Sequence, residues 1–284
     1  MLKLGLIGQS IARSRAPSLH IMQGELHNVD VRYDLHEPRD TTPETYAETL
    51  HQLRHEGYRG CNVTFPYKQL AVTHATEVNR AVRLVGATNT LRFNGEEVFA
   101  ANTDYTGFIR GYRGRVGEQP AGRVLLLGAG GVGRAVAFAL FELGASEVEI
   151  YDIDQSGARS LARSLQEAGY SAKAVTAGEL PSAAASADGL VNCTPVGHYM
   201  TPGTPLDEKM IGGQRWAFDA VYTPIETEFL VAAHRQGLTI ISGFDLFFYQ
   251  GLDAYEIFTD TKVDPAAVME RFKQRFDIVS DLIK

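Results

Sequence analysis

The stretch 124–152 restricts the fold more than any other part of the chain. Residues 124–127 are a continuous apolar run of strand length, Gly128-Ala129-Gly130-Gly131-Val132-Gly133 is a glycine loop, and residues 135–143 read as a helix stopped at Gly144. Residues 148–151 are a second strand, closing on Asp152. Strand, glycine turn, helix and strand in that order form a βαβ unit, which calls for a parallel sheet covered by helices. Further candidate strands at 172–175, 190–193, 217–221 and 238–241, with helical stretches between them, extend it into a doubly wound sheet.

The rest of the chain is α/β of another kind. Residues 2–7 read as a buried strand ending at Gly8, and a helix follows Pro17. A second helix runs from Thr42-Pro43 through Leu53 and stops near Gly57. Residues 60–64 are a short β-branched run closed by Pro66, and 88–93 with 98–101 are strands around Asn94-Gly95. Segments 245–258 and 265–283 are helical with no strand between them, so they can pack back on the first domain. These pattern changes set joints near Asp104 and Gly243. They give an N-terminal domain of residues 1–104 completed by 244–284, and a second domain of 105–243. A length of 284 residues supports two such cores.

Composition narrows the class of function. The formal charge of -7 offers no long-range attraction to phosphate backbones or anionic lipid, so neither nucleic acid nor a membrane surface is an expected partner. No run approaches 18 uncharged apolar residues, and the N-terminus lacks a leader pattern. The two cysteines, Cys61 and Cys193, make neither a disulfide framework nor a zinc cluster. The expectation is a cytoplasmic protein, monomer or homodimer, that acts on small molecules and binds no metal.

The glycine loop fits G-x-G-x-x-G directly after a strand and at the head of a helix, where the motif has physical meaning. The first glycine allows the tight turn, the second lets backbone approach a pyrophosphate, and the third lets helix close on strand. The helix N-terminus offers unpaired N–H groups to the anion. Asp152, 24 residues after Gly128, stands where a carboxylate accepts both ribose hydroxyls. A 2'-phosphate there would meet that carboxylate, and no cation follows before Arg159, so the expected cofactor is NAD. Asp154 is the better candidate to cap the next helix.

Between residues 4 and 172 the chain has sixteen arginines and one lysine, Lys68. A guanidinium does not release its proton near neutral pH, whereas a partly desolvated ammonium can, as proton exchange with a substrate hydroxyl requires. Around it stand Asn62-Val63-Thr64-Phe65-Pro66-Tyr67-Lys68, Gly86-Ala87-Thr88-Asn89-Thr90 and Asn102-Thr103-Asp104. Strand alternation points Asn62 and Thr64 to one face, with groups suited to a polyol. Asp104 is the one nearby acid placed at a strand end, where it can hold the ammonium of Lys68.

With these motifs, the Asn192-Cys193-Thr194-Pro195-Val196-Gly197 stretch, Asp219 to Tyr222-Thr223-Pro224 and the spacing from Gly243 to Gln250, the chain resembles the shikimate dehydrogenase family, including its quinate/shikimate dehydrogenase branch. The resemblance runs end to end. It implies an N-terminal substrate domain, a Rossmann dinucleotide-binding domain and a cofactor crossing the cleft between them. It implies Lys68 and Asp104 as the catalytic pair, with Ser14, Asn62, Thr64, Asn89, Tyr222 and Gln250 on the substrate. Around the cofactor it implies Gly128, Ala129, Gly130, Gly131, Val132, Gly133, Asp152, Thr194, Pro195, Val221 and Gly243. The implied reaction is NAD-dependent oxidation of a secondary alcohol on a carboxylated polyhydroxy ring.

Two departures from the family pattern matter. Many members have S-x-S-P or S-x-T-P for the carboxylate, where this chain has Ser14-Arg15-Ala16-Pro17. One lost hydrogen bond to a charged group is worth about 1.5–3 kcal/mol. Members that use NADP carry Asn-Arg-Thr where this chain has Asp152-Ile153-Asp154, in line with NAD. Leu246, where methionine is usual, is nearly isosteric. His51 and His55 share a helix rich in Glu, Gln and Arg and read as a solvated face, while His20 reads as helix packing and His198 as an exposed loop residue. Two rival readings are a methylene-tetrahydrofolate-type dehydrogenase and a non-enzymatic sensor of NAD and a ring acid.

Overall fold

A computed structural model of the chain describes residues 1–276, 280 and 282. The first ten elements are β1 (Leu2–Ile7), α1 (Ala16–Leu26), β2 (Val31–His36), α2 (Pro43–His55), β3 (Gly60–Val63), β4 (Glu77–Val78), α3 (Arg80–Val85), β5 (Thr90–Asn94), β6 (Glu97–Ala101) and α4 (Thr103–Val116). After them come β7 (Gly122–Leu127), α5 (Gly131–Glu142), β8 (Ala145–Tyr151), α6 (Gln155–Glu167), β9 (Ala172–Ala174), α7 (Leu180–Ser186), β10 (Gly189–Asn192), β11 (Trp216–Asp219), α8 (Glu228–Arg235), β12 (Thr239–Ile241), α9 (Gly243–Thr259) and α10 (Pro265–Phe276). The chain divides into two compact units. One holds Met1–Thr106 and the stretch that begins at Phe248; the other holds Gly107–Phe247.

The second unit is built on a six-stranded sheet in the order β12-β11-β10-β7-β8-β9, with every pair parallel. The strand order reverses between β7 and β10. That is the switch point of a doubly wound fold, and the crevice it opens lies at the carboxyl ends of the strands. The strands are apolar on both faces because helices cover both. Leu125, Leu127, Leu190, Ala217, Phe229 and Leu230 form a buried cluster there. The indole N–H of Trp216 donates to the Ala121 carbonyl at 3.2 Å, so this ring is buried with its polar atom satisfied.

The first unit has a mixed sheet, β2-β1-β3-β5-β6-β4, in which β3–β5 and β5–β6 are antiparallel and the other pairs parallel. Ile7, Tyr46, Leu50, Leu53, Val63, Leu91 and Phe93 form its core beneath α2. Helices α9 and α10 pack on this unit. A Cβ on Gly60 would overlap the Leu91 carbonyl and the Phe258 ring, and one on Gly251 would overlap Leu19. Arg271 and Arg275 of α10 meet Glu25 of α1 at 3.2 and 3.4 Å.

Several expectations change in detail. Asp104 does not end a strand; β6 stops at Ala101 and Asp104 sits in the first turn of α4. The helix after the glycine loop starts at Gly131 rather than 135, so two loop glycines form its first turn. Thr64 lies beyond the end of β3 and does not share a strand face with Asn62. The last helix, expected to reach 283, ends at Phe276; 277–279, 281, 283 and 284 lie outside the described residues, and Ser280 and Leu282 are not helical. Strands β2 and β4 and helix α3 carry no clear sequence mark. No described helix is long and apolar enough to cross a membrane.

The crowding at Gly60 gives a test. Gly60→Ala should destabilise the protein by about 1–3 kcal/mol through overpacking, read as a lower midpoint in urea. Gly178→Ala, whose added Cβ meets nothing within 4 Å, should stay within about 0.5 kcal/mol of the parent.

Candidate active site

In the second unit each loop glycine has its own physical role. Gly128 has φ +98, and a Cβ there would lie 2.7–2.8 Å from the Cys193–Thr194 peptide. A Cβ on Gly133 would overlap the Gly128 carbonyl, so the helix sits hard against the turn that feeds it. Gly130 is the opposite case: an added Cβ meets nothing within 4 Å. It is the N-cap residue of α5, and that helix has neither a side-chain cap nor an acidic residue in its first turn. Open space in front of uncapped N–H groups fits a pyrophosphate. Ala129 and Val132 are half-buried and Gly131 is exposed.

Asp152 closes the loop from the neighbouring strand. Its Oδ2 accepts from the Ala129 N–H at 2.7 Å and its Oδ1 from the Asp154 N–H at 2.8 Å. Asp154 caps α6 through the Ser156 N–H at 3.0 Å. Ile153, between the two acids, is 91% exposed.

Two more strand ends are tied together by a buried carboxyl. Asp219, at the end of β11, accepts from Asn192 Nδ2 at 2.9 Å, from the Val221 N–H at 2.9 Å and from Thr227 Oγ1 at 2.6 Å. Asn192 Oδ1 in turn accepts from the Thr194 N–H and hydroxyl at 3.0 and 2.7 Å, and its Nδ2 also donates to the Val196 carbonyl at 3.0 Å. The expected cofactor residues Thr194, Pro195 and Val221 thus hang on one polar network. A Cβ on Gly243 would lie 2.6 Å from the Ala220 and Val221 carbonyls, so α9 begins in contact with the same turn. Tyr222 stacks on Phe247 with centroids 5.0 Å apart. Burial pushes the Asp219 carboxyl up to about 7, against hydrogen bonds from Thr227, Val221 and Asn192 that lower it.

In the first unit Lys68 Nζ donates to Asp104 Oδ2 at 2.6 Å, with side chains 13% and 10% exposed. Backbone bonds bring the two segments together. The Thr88 N–H donates to the Lys68 carbonyl at 2.8 Å, and Asn102 bridges the Ala87 carbonyl at 2.9 Å and the Tyr105 N–H at 3.0 Å, where it caps α4. Asn89 lies between them. Its Oδ1 accepts from the Thr103 N–H at 2.7 Å and from the Thr103 and Thr90 hydroxyls at 3.1 Å, while its Nδ2 has no partner among the described residues. A backbone N–H only donates, so the atom facing Thr103 is the oxygen. Asn62 is engaged at both ends by protein groups: Oδ1 by Tyr33, Nδ2 by the Asn89 carbonyl and Thr90.

Ser14 stands just ahead of α1, and its Oγ accepts from the Ala16 N–H at 3.2 Å. The N-cap residue of α1, Arg15, adds no side-chain cap, and the first turn of the helix has no acid. Arg15 lies over the Phe276 ring at 5.7 Å. Thr64 and Gln250 are half-buried, Gln250 on α9. His20 is fully buried and stacks on Tyr33 at 4.8 Å; burial pushes its imidazole down to about 3, so it stays neutral. The geometry adds two residues to the expected set, Tyr33 and Asp219. The first has no sequence signal, since a tyrosine in an unmarked strand reads as core. Asp219 was in view only as part of a motif.

A family profile described as the shikimate dehydrogenase substrate binding domain matches residues 6–91, a span that includes Ser14, Asn62, Thr64, Lys68 and Asn89. The chain is 34% identical over 278 residues to a shikimate dehydrogenase (NADP(+)) of Pseudarthrobacter chlorophenolicus, covering 95% of this chain and 93% of that one. It is also 34% identical to a quinate/shikimate dehydrogenase (NAD(+)) of Corynebacterium efficiens, with 96% of each chain covered. The chain belongs to the shikimate dehydrogenase family. Among solved structures of that family, quinate dehydrogenase from Corynebacterium glutamicum in complex with NAD superposes with a TM-score of 0.89 at 33% identity, covering 96% of this chain and 99% of that one. A Thermus thermophilus shikimate dehydrogenase in complex with NADP(H) and shikimate gives 0.83 at 32% identity, with 96% and 99% covered. Like its family, the chain is an oxidoreductase that takes a dinucleotide.

The buried carboxyl gives a pH test. Asp219 ionises near 3.8 in the unfolded chain and near 7 in the fold, so between those values the native state holds the extra proton. Its contribution to stability is therefore full below about 4 and is lost as pH rises through 7, by a few kcal/mol at most. The difference in unfolding free energy between the parent and Asp219→Asn should change across this window and be flat on either side.

Proposed function

We propose that this protein is an NAD-dependent dehydrogenase of quinate, shikimate or a close ring-acid analogue. The observation that carries the reading is the nearly buried 2.6 Å contact of Lys68 with Asp104, joined through Thr103 to Asn89, whose Nδ2 has no partner among the described residues. The free amine form of Lys68 takes the proton of the substrate hydroxyl, becoming the ammonium, as the carbinol carbon gives up hydride. NAD supplies the hydride acceptor. Asp104 holds the ammonium by its charge and keeps it in one position. Asn89 donates its free N–H groups to a ring hydroxyl, with Asn62 behind it, and Thr64, Tyr222 and Gln250 complete the contacts to the ring. The substrate carboxylate goes to Ser14 at the start of α1, where the positive end of the helix dipole favours an anion.

On the cofactor side the glycine loop holds the pyrophosphate and Asp152 the ribose hydroxyls. Ala129 and Val132 flank the phosphates, and Thr194, Pro195, Val221 and Gly243 border the nicotinamide. Relatives of both cofactor types are equally similar overall, so the choice rests on Asp152. A carboxylate at that point repels a 2'-phosphate, and exposed Ile153 brings no positive charge to offset it. Ala16 removes one hydroxyl from the carboxylate site, which favours a substrate with other handles, such as quinate, over shikimate. A sensor with no chemistry has no need of a lysine held by a carboxylate. A chain with only two cysteines, Cys61 and Cys193, suits a reducing cytoplasm.

Absorbance of NADH, followed with quinate, shikimate and 3-dehydroshikimate in the presence of NAD or NADP, tests this. Lys68→Ala should lower kcat by about 10²–10⁴ with little change in dinucleotide binding; full activity in that variant overturns the reading. Asp152→Ser should raise turnover with NADP relative to NAD. Ala16→Ser should tighten shikimate binding about tenfold, and unchanged affinity would place the carboxylate elsewhere.

A further inference from the structure

Tyr33, on the edge strand β2, is buried with its ring stacked on neutral His20 at 4.8 Å and an interplanar angle of 19°. Burial pushes its phenol well above the usual tyrosine range, so its hydroxyl always carries a proton to donate. That hydroxyl donates to Asn62 Oδ1 at 2.8 Å. The other end of the Asn62 amide meets the Asn89 carbonyl at 3.2 Å, which only accepts, so that end must be the nitrogen. The same Nδ2 donates to Thr90 Oγ1 at 3.1 Å, and Thr90 Oγ1 donates to Asn89 Oδ1 at 3.1 Å. Every link in this series points one way, from Tyr33 through Asn62 and Thr90 to Asn89. Its end leaves Asn89 Oδ1 taken and Asn89 Nδ2 free, one residue's reach from the Asp104 backbone through Thr103.

We propose that Tyr33 is a positioning residue for the ring-acid site: its hydroxyl anchors the Asn62 amide, which through Thr90 braces Asn89 where its N–H groups meet a hydroxyl of the substrate. The inference rests on the functional reading above, in which Asn89 touches the ring. The Asn89 carbonyl fixes which end of Asn62 is the nitrogen and the Thr103 N–H fixes the Asn89 oxygen, so the phenol hydroxyl acts on placement rather than on orientation. Without it Asn62 Oδ1 loses its 2.8 Å donor, the hold of Asn62 on Thr90 slackens, and Asn89 loses one of the braces on its oxygen.

A double-mutant cycle tests this. Tyr33→Phe keeps the ring and its stack on His20. It should lower kcat/KM for the ring acid about tenfold, through both KM and kcat, with the KM for the dinucleotide unchanged. In the Asn89→Ala background the same substitution should cost less than about twofold, because the group it positions is gone. Thr90→Val, which breaks the relay nearer its end, should show the same lack of additivity and serves if Tyr33→Phe does not fold. An equal loss in both backgrounds, a parallel rise in the dinucleotide KM, or normal kinetics in Tyr33→Phe each overturns the role of Tyr33 while leaving the role of Asn89 in place. Normal turnover in Asn89→Ala by itself removes the Asn89 assignment, and the proposal with it.

Discussion

An ammonium and a carboxylate held 2.6 Å apart with little access to water set the terms for the rest of the first unit. Burying such a pair is costly, and attraction offsets the lost hydration only when geometry is good and the backbone does not move. The surroundings of Lys68 and Asp104 meet that demand with backbone rather than with further charge. Thr88 bonds the lysine's own carbonyl, and Asn102 caps the helix that carries the aspartate. Asp104 also sits in the first turn of α4, where the partial positive charge of the helix end favours a carboxylate. A pair fixed in this way is expensive as structure and useful as chemistry. Replacing it with apolar side chains of similar volume is the change most often tolerated in a core that needs only to fold.

The second unit follows a related logic around a buried carboxyl, that of Asp219. Asp219, Asn192, Thr194 and Thr227 satisfy one another at the carboxyl ends of β10 and β11, while the glycines of the β7–α5 turn are pressed against the Cys193–Thr194 peptide. Loops at a switch point are often mobile. Here they are pinned by bonds made within the protein, so a bound dinucleotide has less ordering to bring about.

Much of this was legible in the residues. Periodicity and glycine spacing exposed the βαβ unit, because a buried parallel strand leaves an apolar run and a phosphate turn leaves its glycines. Lys68 stood out against sixteen arginines, a contrast that needs no structure. Strand β2 escaped notice because only Val31 and Tyr33 are buried, Asp34 is half-buried and the apolar Leu35 is exposed, an alternation too short and irregular to separate from a turn. Asp104 was misplaced at a strand end because Asn102-Thr103-Asp104 reads equally as a turn or a helix cap. The parts played by Tyr33 and Asp219 depend on partners 29 and 27 residues away, Asn62 and Asn192, and local pattern holds no trace of such pairings.

Asp152 binds the amide of Ala129 with the carboxylate that is also assigned to the ribose. On the proposed reading, coenzyme selectivity and loop shape rest on the same carboxylate. A lineage drifting toward the phosphorylated coenzyme could not exchange this side chain without slackening the turn that grips the diphosphate, so it would have to acquire a second fastening for that turn first. Changes of coenzyme in such a scaffold are thus expected to arrive as sets of substitutions in a preferred order, and single replacements at this point to yield enzymes poorer with both coenzymes.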